Sequence, residues 1–505
     1  MDDSVLEDAE LAARNEIGCD LDINAAKEEA VWYSTMNILA LCLGSGMGVP
    51  LDDAEWNEAA NWAGMSWDDL PLTNPLPLKG IFKTGDPHLS RPFEQMNLDT
   101  WRWNPDSFDR ALVPQAHGWT ILAESECAKW FGMSQAAEAI PDDMRNQWKA
   151  LAMFLYTLAR KQYDFAINNL RNDQGLFITF SELGSVRVTN EATNLEDQAC
   201  MLWACSDLAL MAKQPNTIFT NESSKECFLT FADRLFGDIW AAKDMLLDTS
   251  LNKVLAQSVA IPALIWYSCV TDAQDLRARC LWTLREFADN LVKAQDANEM
   301  VGDTLVDAAA ALRALVDAFR VTRLKTYSET AARIFNYIES QWSKTGVYPP
   351  TPLASEYTFN ADDIGIILGA LNASRLFLKE RVDRDLAELR MRVFFCKALN
   401  VSGLQMSMPS MDFLPEWLQQ REPELHFRHS LCPLPSEIQT APVFAGEVSY
   451  NPQSDTWSRN MTFDSPAAMH ACCELLWLNE AINGFPDVKL AEAPIVVRQA
   501  AGMEG

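Results

Sequence analysis

Carboxylates at the starts of helical runs are the residues of this chain whose type and spacing best suit chemistry. Glu196 and Asp197 follow Thr193-Asn194, Asp362 and Asp363 follow Asn360, and Asp303 and Asp307 open another run. Glu356 and Tyr357 stand just ahead of the Asp362–Asp363 pair. Two carboxylates flanking a bond serve as general acid and base, or as acid and nucleophile, according to their separation. Acids in a first helical turn also have a purely structural use, because the helix dipole favours negative charge there.

A second constellation lies further on. "HFRHSLC" places His426, His429 and Cys432 at i, i+3 and i+6, and "QMSMPSM" carries Met406, Met408 and Met411. Imidazole with soft sulfur is a ligand set for copper or zinc. Methionines in a Pro-containing loop also fill gaps under an insertion. No other cofactor is indicated. His117 falls in an apolar helix and reads as a hydrogen-bonded core residue, and His88 is isolated. GxSxG, HExxH, Walker A and CxxCH motifs are missing, so serine-hydrolase, P-loop and haem chemistry have no local support.

The 505 residues hold 41 Lys and Arg against 70 Asp and Glu, a formal charge of −29. Such a surface repels phosphates, which excludes nucleic acid and anionic membranes as partners. Apolar residues make up 48% of the chain, enough for a large core. No uninterrupted apolar run reaches the roughly 18–20 residues of a membrane span. The best candidate, "VWYSTMNILALCLG" (31–44), contains Ser34, Thr35 and Asn37 and reads as a buried helix. The acidic N-terminus has no apolar leader region, which fits a cytoplasmic protein or a mature chain whose leader has been removed. The twelve cysteines include no CxxC pair and mostly fall in apolar helical patterns, as buried free thiols do.

The elements that must position these residues are helices. Apolar residues recur at three- and four-residue spacing over 24–43, 108–132, 143–171, 193–213, 222–246, 251–269, 272–297, 301–320, 326–343, 360–378, 383–398 and 464–482. Residues 1–23 form an acidic lead-in, 24–482 one helical domain, and 483–505 a tail. Two stretches, 45–107 and 399–463, are rich in Pro and Trp and predict long ordered insertions, the second with a strand pair near 442–450. Runs 193–213, 251–269, 301–320 and 360–378 carry little charge, whereas 222–246, 272–297 and 326–343 carry more. That alternation predicts an inner and an outer helical layer. The turns "NNLRNDQGLFITF" (168–180) and "IESQWSKTGVYPP" (338–350) are alike, each a polar helix end, a Gly and a fresh apolar start.

Six helical pairs with such turns resemble the six-hairpin (α/α)6-toroid superfamily of carbohydrate-active enzymes. The resemblance covers about 108–400 and 464–482 and implies an all-α (α/α)6 toroid with two long irregular insertions. It further implies a funnel at the N-terminal ends of the inner helices. There Asp197, Asp362 and Asp363 are the candidate catalytic carboxylates, with Asp464 and His470 near them. Trp342, Tyr348, Glu356 and Tyr357 are candidate substrate-binding residues, and Trp103 and Trp457 further stacking platforms. The expected partner is an oligosaccharide or other small polar ligand, neutral or cationic, and the expected activity that of a glycoside hydrolase, lyase or epimerase. A uronate would need arginines, for which Arg187 and Arg375 are the candidates. The alternative is a non-catalytic binding module or complex subunit on the same toroid, with protein partners at the insertions or copper in the Met/His loop.

Overall fold

The computed structural model describes residues 21–64, 72–95, 97–133, 142–182, 186–215, 217–351, 354–409, 432–479 and 499–500. All twelve expected helices form. They are α1 (Ile23–Leu39), α3 (Pro114–Met133), α4 (Asp142–Asn169), α5 (Leu195–Lys213), α6 (Glu222–Thr249), α7 (Lys253–Val270), α8 (Gln274–Ala294), α9 (Leu305–Thr322), α10 (Lys325–Ser340), α11 (Ala361–Phe377), α12 (Arg381–Phe395) and α13 (Ser465–Leu476). A further helix, α2 (Asp53–Ala63), lies in the first insertion, where the sequence reading expected irregular chain. Its signal was present: Asp52 caps the helix and Glu55 returns the bond, a capping box.

Six helices pack side by side in a closed ring, α3 on α5, α5 on α7, α7 on α9, α9 on α11, α11 on α13, and α13 back on α3. The other six stand outside them, α4 behind α3, α6 behind α5, α8 behind α7, α10 behind α9, α12 behind α11, and α1 behind α13. The layers follow from charge placement. In α10 the buried residues Tyr327, Ala331, Ile334, Phe335 and Ile338 form one stripe, as a half-solvated helix requires. In α9 the run Leu305–Leu312 is buried all round, because neighbours cover every face. α7 is long and apolar enough to cross a membrane by length and composition, yet it stands inside this ring with 78% of its span buried. Its apolarity is that of a core helix.

The outer helices α4, α6, α8 and α10 each reach the next inner one by a turn or loop at the same end of the ring, whereas α1 and α12 do so through the two insertions. The two look-alike turns are built alike, with Gly175 at φ +83° and Gly346 at φ +81°, a left-handed conformation that glycine adopts without strain. The insertions cover the seam where the ring closes. Residues 399–409 and 441–444 wrap α1, which explains why an outer helix is buried from Ala30 to Leu39. Asn37 stitches this contact: its Nδ2 donates to the Gln405 side chain (3.0 Å) and to the Tyr33 carbonyl (2.9 Å), and its Oδ1 accepts from the Phe444 N–H (2.6 Å). Strands Tyr357–Phe359, Glu447–Asn451 and Thr456–Asn460 form one antiparallel sheet, a three-stranded version of the expected pair. The described cysteines are all free; Cys227 departs from the expectation of burial and is exposed.

Replacing Asn37 with Leu removes the partner of the Phe444 N–H and of Gln405 Oε1, both buried, at about 1–3 kcal/mol each. The urea midpoint of Asn37→Leu is expected to fall accordingly. An unchanged midpoint would show that this stitch does not hold the seam.

Candidate functional site

The N-terminal ends of the inner helices share one end of the ring, so the carboxylates of their first turns converge there. Two of the three expected catalytic carboxylates are engaged in capping. Asp197 takes a bond from the Asn194 side chain (2.8 Å), and Asn194 accepts from the Asp197 N–H. Asp363 accepts from the Asn360 N–H (2.9 Å), and Asn360 accepts in return from the Asp363 N–H (2.8 Å). Asp307 does the same with Thr304 and also takes the Asn252 amide (2.6 Å). Three inner helices thus repeat one device, an Asp at the third position tying down its own N-cap.

Asp362 is different. Its side chain is partly exposed and reaches across to α13, where it bonds His470 Nδ1. The other ring nitrogen, Nε2, stands 3.3 Å from Glu474 Oε1, which also holds Arg313 of α9. The imidazole lies flat on Trp119 of α3, centroids 3.8 Å apart and planes 12° from parallel. Trp119 meets the edge of Trp203 on α5 (5.9 Å), Trp203 stacks on Trp477 (4.6 Å, 4°), and the Arg313 guanidinium lies 4.8 Å from the Trp477 ring. These contacts close a circuit through α3, α5, α9, α11 and α13. α9 and α13 are not neighbours in the ring, nor are α5 and α13, so these contacts cross its interior and fill it.

Below that circuit the interior holds paired ions. Lys129 bonds Glu126 (2.8 Å) and Asp207, and lies 5.2 Å from the Trp266 ring on α7, again across the axis. Asp317 bonds Arg320 (3.2 Å), which covers Phe377 (3.9 Å). The funnel is therefore blind: open at the helix N-termini and plugged beneath. Gly369 of α11 makes room for the circuit, since a Cβ there would stand 2.2 Å from Glu474 Oε2 and 3.0 Å from Arg313 Nη1.

Burial sets the electrostatics of the mouth. Glu196 is pushed up to about 7, by burial first and then by the charges of Asp197 and Asp362. Its Oε2 accepts a bond from Gln115 (3.3 Å). α5 and α11 face each other across the ring, so Glu196 and Asp362 are opposed carboxyls within electrostatic reach. Burial likewise raises Asp197 and Asp363 to about 7, against the hydrogen bonds that lower them. Asp464, the N-cap of α13, is raised by burial, with Lys83 opposing and Asp362 adding to the rise. His117 is pushed down to about 4 by burial; its Nε2 accepts from the Ile81 N–H (3.1 Å), as expected of a core histidine.

The other expected site residues fall in several places. Tyr348 is fully buried, with its ring against Trp342 (4.7 Å) and Phe394 (5.6 Å), so it offers no face to a sugar. Trp342 is half-buried beneath the Arg390 guanidinium (4.5 Å). Trp103 is buried against Phe463 (5.1 Å). Glu356 is exposed, and Tyr357 stands in the three-stranded sheet just before α11, in a ladder with Tyr450 (5.9 Å) and Trp457 (4.8 Å from Tyr450). Asp303 is exposed at the start of α9. Arg375 bonds Asn372 (2.9 Å) near the far end of α11, away from the mouth, and Arg187 is exposed on a strand. Met406 and Met408 are buried, and Met411, His426 and His429 lie outside the described residues. Among the described residues no three His, Cys, Asp or Glu side chains group as a cation site. Sequence reading missed Arg313, Glu474 and Trp119. The signal was a lone charge in an apolar inner helix, which must find a partner if it is buried.

No family model matches the chain, and no curated protein matches it in sequence. Solved structures do resemble it. D-mannose isomerase superposes with a TM-score of 0.50 at 12% identity, over 89% of this chain and 96% of that one. The cellulase Cel9M of C. cellulolyticum gives 0.47 at 11%, over 91% and 99%. Cellobiose 2-epimerase from Bacillus thermoamylovorans B4167 gives 0.46 at 11%, over 73% and 88%. At such identity the likeness is one of fold. The closed double ring of helices is the (α/α)6 toroid that the resemblance in sequence implied.

The raised carboxyls make stability depend on pH. Glu196, Asp197 and Asp363 keep their protons up to about 7 in the fold. The unfolded chain releases them near 4, so the fold binds more protons across that window and loses stability as pH rises through it. The melting temperature is expected to be higher at about pH 6 than at about pH 8, and Asp363→Asn to flatten the dependence. A wild-type midpoint that rises with pH over this range would contradict the assignment.

Proposed function

We propose that the chain is a carbohydrate-active enzyme that cleaves a glycosidic bond at a terminal sugar unit, with Glu196 as general acid and Asp362 as base or nucleophile. One observation carries this reading: two carboxyls oppose each other across the mouth in unlike environments. Glu196 is half-buried, and desolvation with the neighbouring acids holds its proton to about 7, whereas Asp362 is bonded to an imidazole. A carboxyl that holds its proton, set opposite a second carboxyl, is the arrangement of acid and base in such sites. His470 is a positioning residue here: clamped on Trp119 and bonded to Glu474, it holds the Asp362 carboxylate in place. The blind funnel suits a chain end or a free sugar rather than the middle of a polymer. The acidic mouth disfavours anionic substrates, and neither arginine considered for a uronate stands at it.

A second reading follows from His470 itself. An imidazole between two carboxylates is a geometry for moving a proton, which epimerisation or isomerisation of a free sugar requires. One assay separates the two: proton NMR in D2O on glucose, mannose, cellobiose and longer gluco-oligosaccharides. Release of a shorter chain marks hydrolysis, and exchange of the C2 proton marks epimerisation. Glu196→Gln and Asp362→Asn are each expected to lower kcat by about 10²–10⁴-fold while the protein stays folded. Activity should fall as pH rises above about 7 and Glu196 loses its proton. A Glu196→Gln enzyme with full turnover would remove the acid from this scheme. Sugar binding with no turnover by the wild type would leave a binding module.

A further inference from the structure

Beneath His470 lies a cavity of about 30 Å3, bordered by Trp203, Ser258, Pro262, Arg313, Ile366 and Glu474. Three of its lining residues each carry a buried polar atom with no hydrogen-bond partner: Trp203 Nε1, Ser258 Oγ and Glu474 Oε2. All three side chains are more than nine-tenths buried, at 3%, 6% and 3% exposure. Trp203 can only donate, the Glu474 carboxylate accepts, and Ser258 does either. Pro262 adds to the imbalance, since it has no N–H for the carbonyl of Ser258 four residues earlier in α7. The rest of the lining is Arg313 and His470, both already paired with carboxylates, and the apolar Val259, Ala310, Ile366 and half-buried Leu255, which lies on the side of the mouth.

A pocket whose unpartnered groups are one donor, one acceptor and one that is both matches a hydroxyl on a carbon stem. The hydroxyl donates once and accepts twice, and the stem rests on the aliphatic lining. The volume suits a group of two heavy atoms, since a single water needs about 10–15 Å3. We propose that this cavity is the subsite for the hydroxymethyl group of a neutral hexose, seated beneath the acid and base of the mouth. The inference rests on the carbohydrate reading above and deepens it: the sugar enters with its primary alcohol downward, and the pocket selects hexoses over pentoses. Buried polar groups reject an analogue that cannot pair with them far more strongly than an apolar pocket rejects a missing methylene.

The test is calorimetric titration of the full chain with D-glucose and D-mannose against D-xylose and D-lyxose, the same rings without the hydroxymethyl group. Wild-type protein is expected to bind one of the hexoses at least about tenfold tighter than its pentose counterpart. Ser258→Val fills the space with an apolar group, so it should abolish that preference with the melting temperature kept. Trp203→Phe, which keeps a ring and loses the donor, gives the same readout should the valine variant not fold. Equal binding of hexose and pentose by the wild type, or a preference that survives both substitutions, overturns the subsite and leaves the carbohydrate reading standing. A hexose-soaked crystal that retains two waters in the cavity also overturns it. Failure of all four sugars to bind overturns the subsite together with the reading it rests on.

Discussion

The ion pair between Arg313 and Glu474 is the contact on which the site depends. It spans two helices that are not neighbours in the ring, so it fixes the width of the interior as well as neutralising two buried charges. Removing either partner would leave the other charged and buried, which is far costlier than losing the pair as a whole. From Glu474 the order passes to His470, and from His470 to Asp362, so a charge at the centre determines where a carboxylate stands at the rim. The tryptophans do the complementary work. Trp119, Trp203 and Trp477 occupy the volume that six inner helices would otherwise leave empty, and their flat faces hold the imidazole and guanidinium in one orientation.

The same ring shows how one residue type divides its labour. Asp362 and Asp363 are adjacent in the first turn of one helix, yet they point about 100° apart around its axis. Asp363 turns back to its own N-cap, and Asp362 turns inward to the imidazole. The repeat of the capping Asp in α5, α9 and α11 gives the inner helices a common start, which brings their first turns level at the mouth. Capping is thus a condition of the site, although the capping carboxylates do not face it.

The helices and their layers were legible because they follow from local pattern. α9 and α11 read as inner helices from their alanines and glycines, and α10 as outer from its single apolar stripe. The closure of the ring was not legible, since an open array of hairpins has the same periodicity. The site was half legible. Acids in first turns were visible, but whether a given one caps or reaches inward depends on partners more than a hundred residues away, as with Asp362 and His470. Tyr348 misled because a turn before a helix is ordinarily exposed; here α12 packs over it through Phe394. The strand pair expected near 442–450 lies further along, at Glu447–Asn451 and Thr456–Asn460, and its third strand, Tyr357–Phe359, was hidden by its shortness.

The pairing of α1 with α13 bears on how the molecule is made. α1 leaves the ribosome first, and the inner helix it covers is assembled after all the others, roughly tens of seconds later at ordinary rates of synthesis. Through that interval the face of α1 that packs on α13 lacks its final neighbour, although in the finished ring Val31, Trp32, Tyr33 and Met36 are all buried. That face of α1 therefore stays incomplete until α13 has been made. Docking of α13 between α3 and α11 and beneath α1 is thereby a late step of folding, the one that closes the ring.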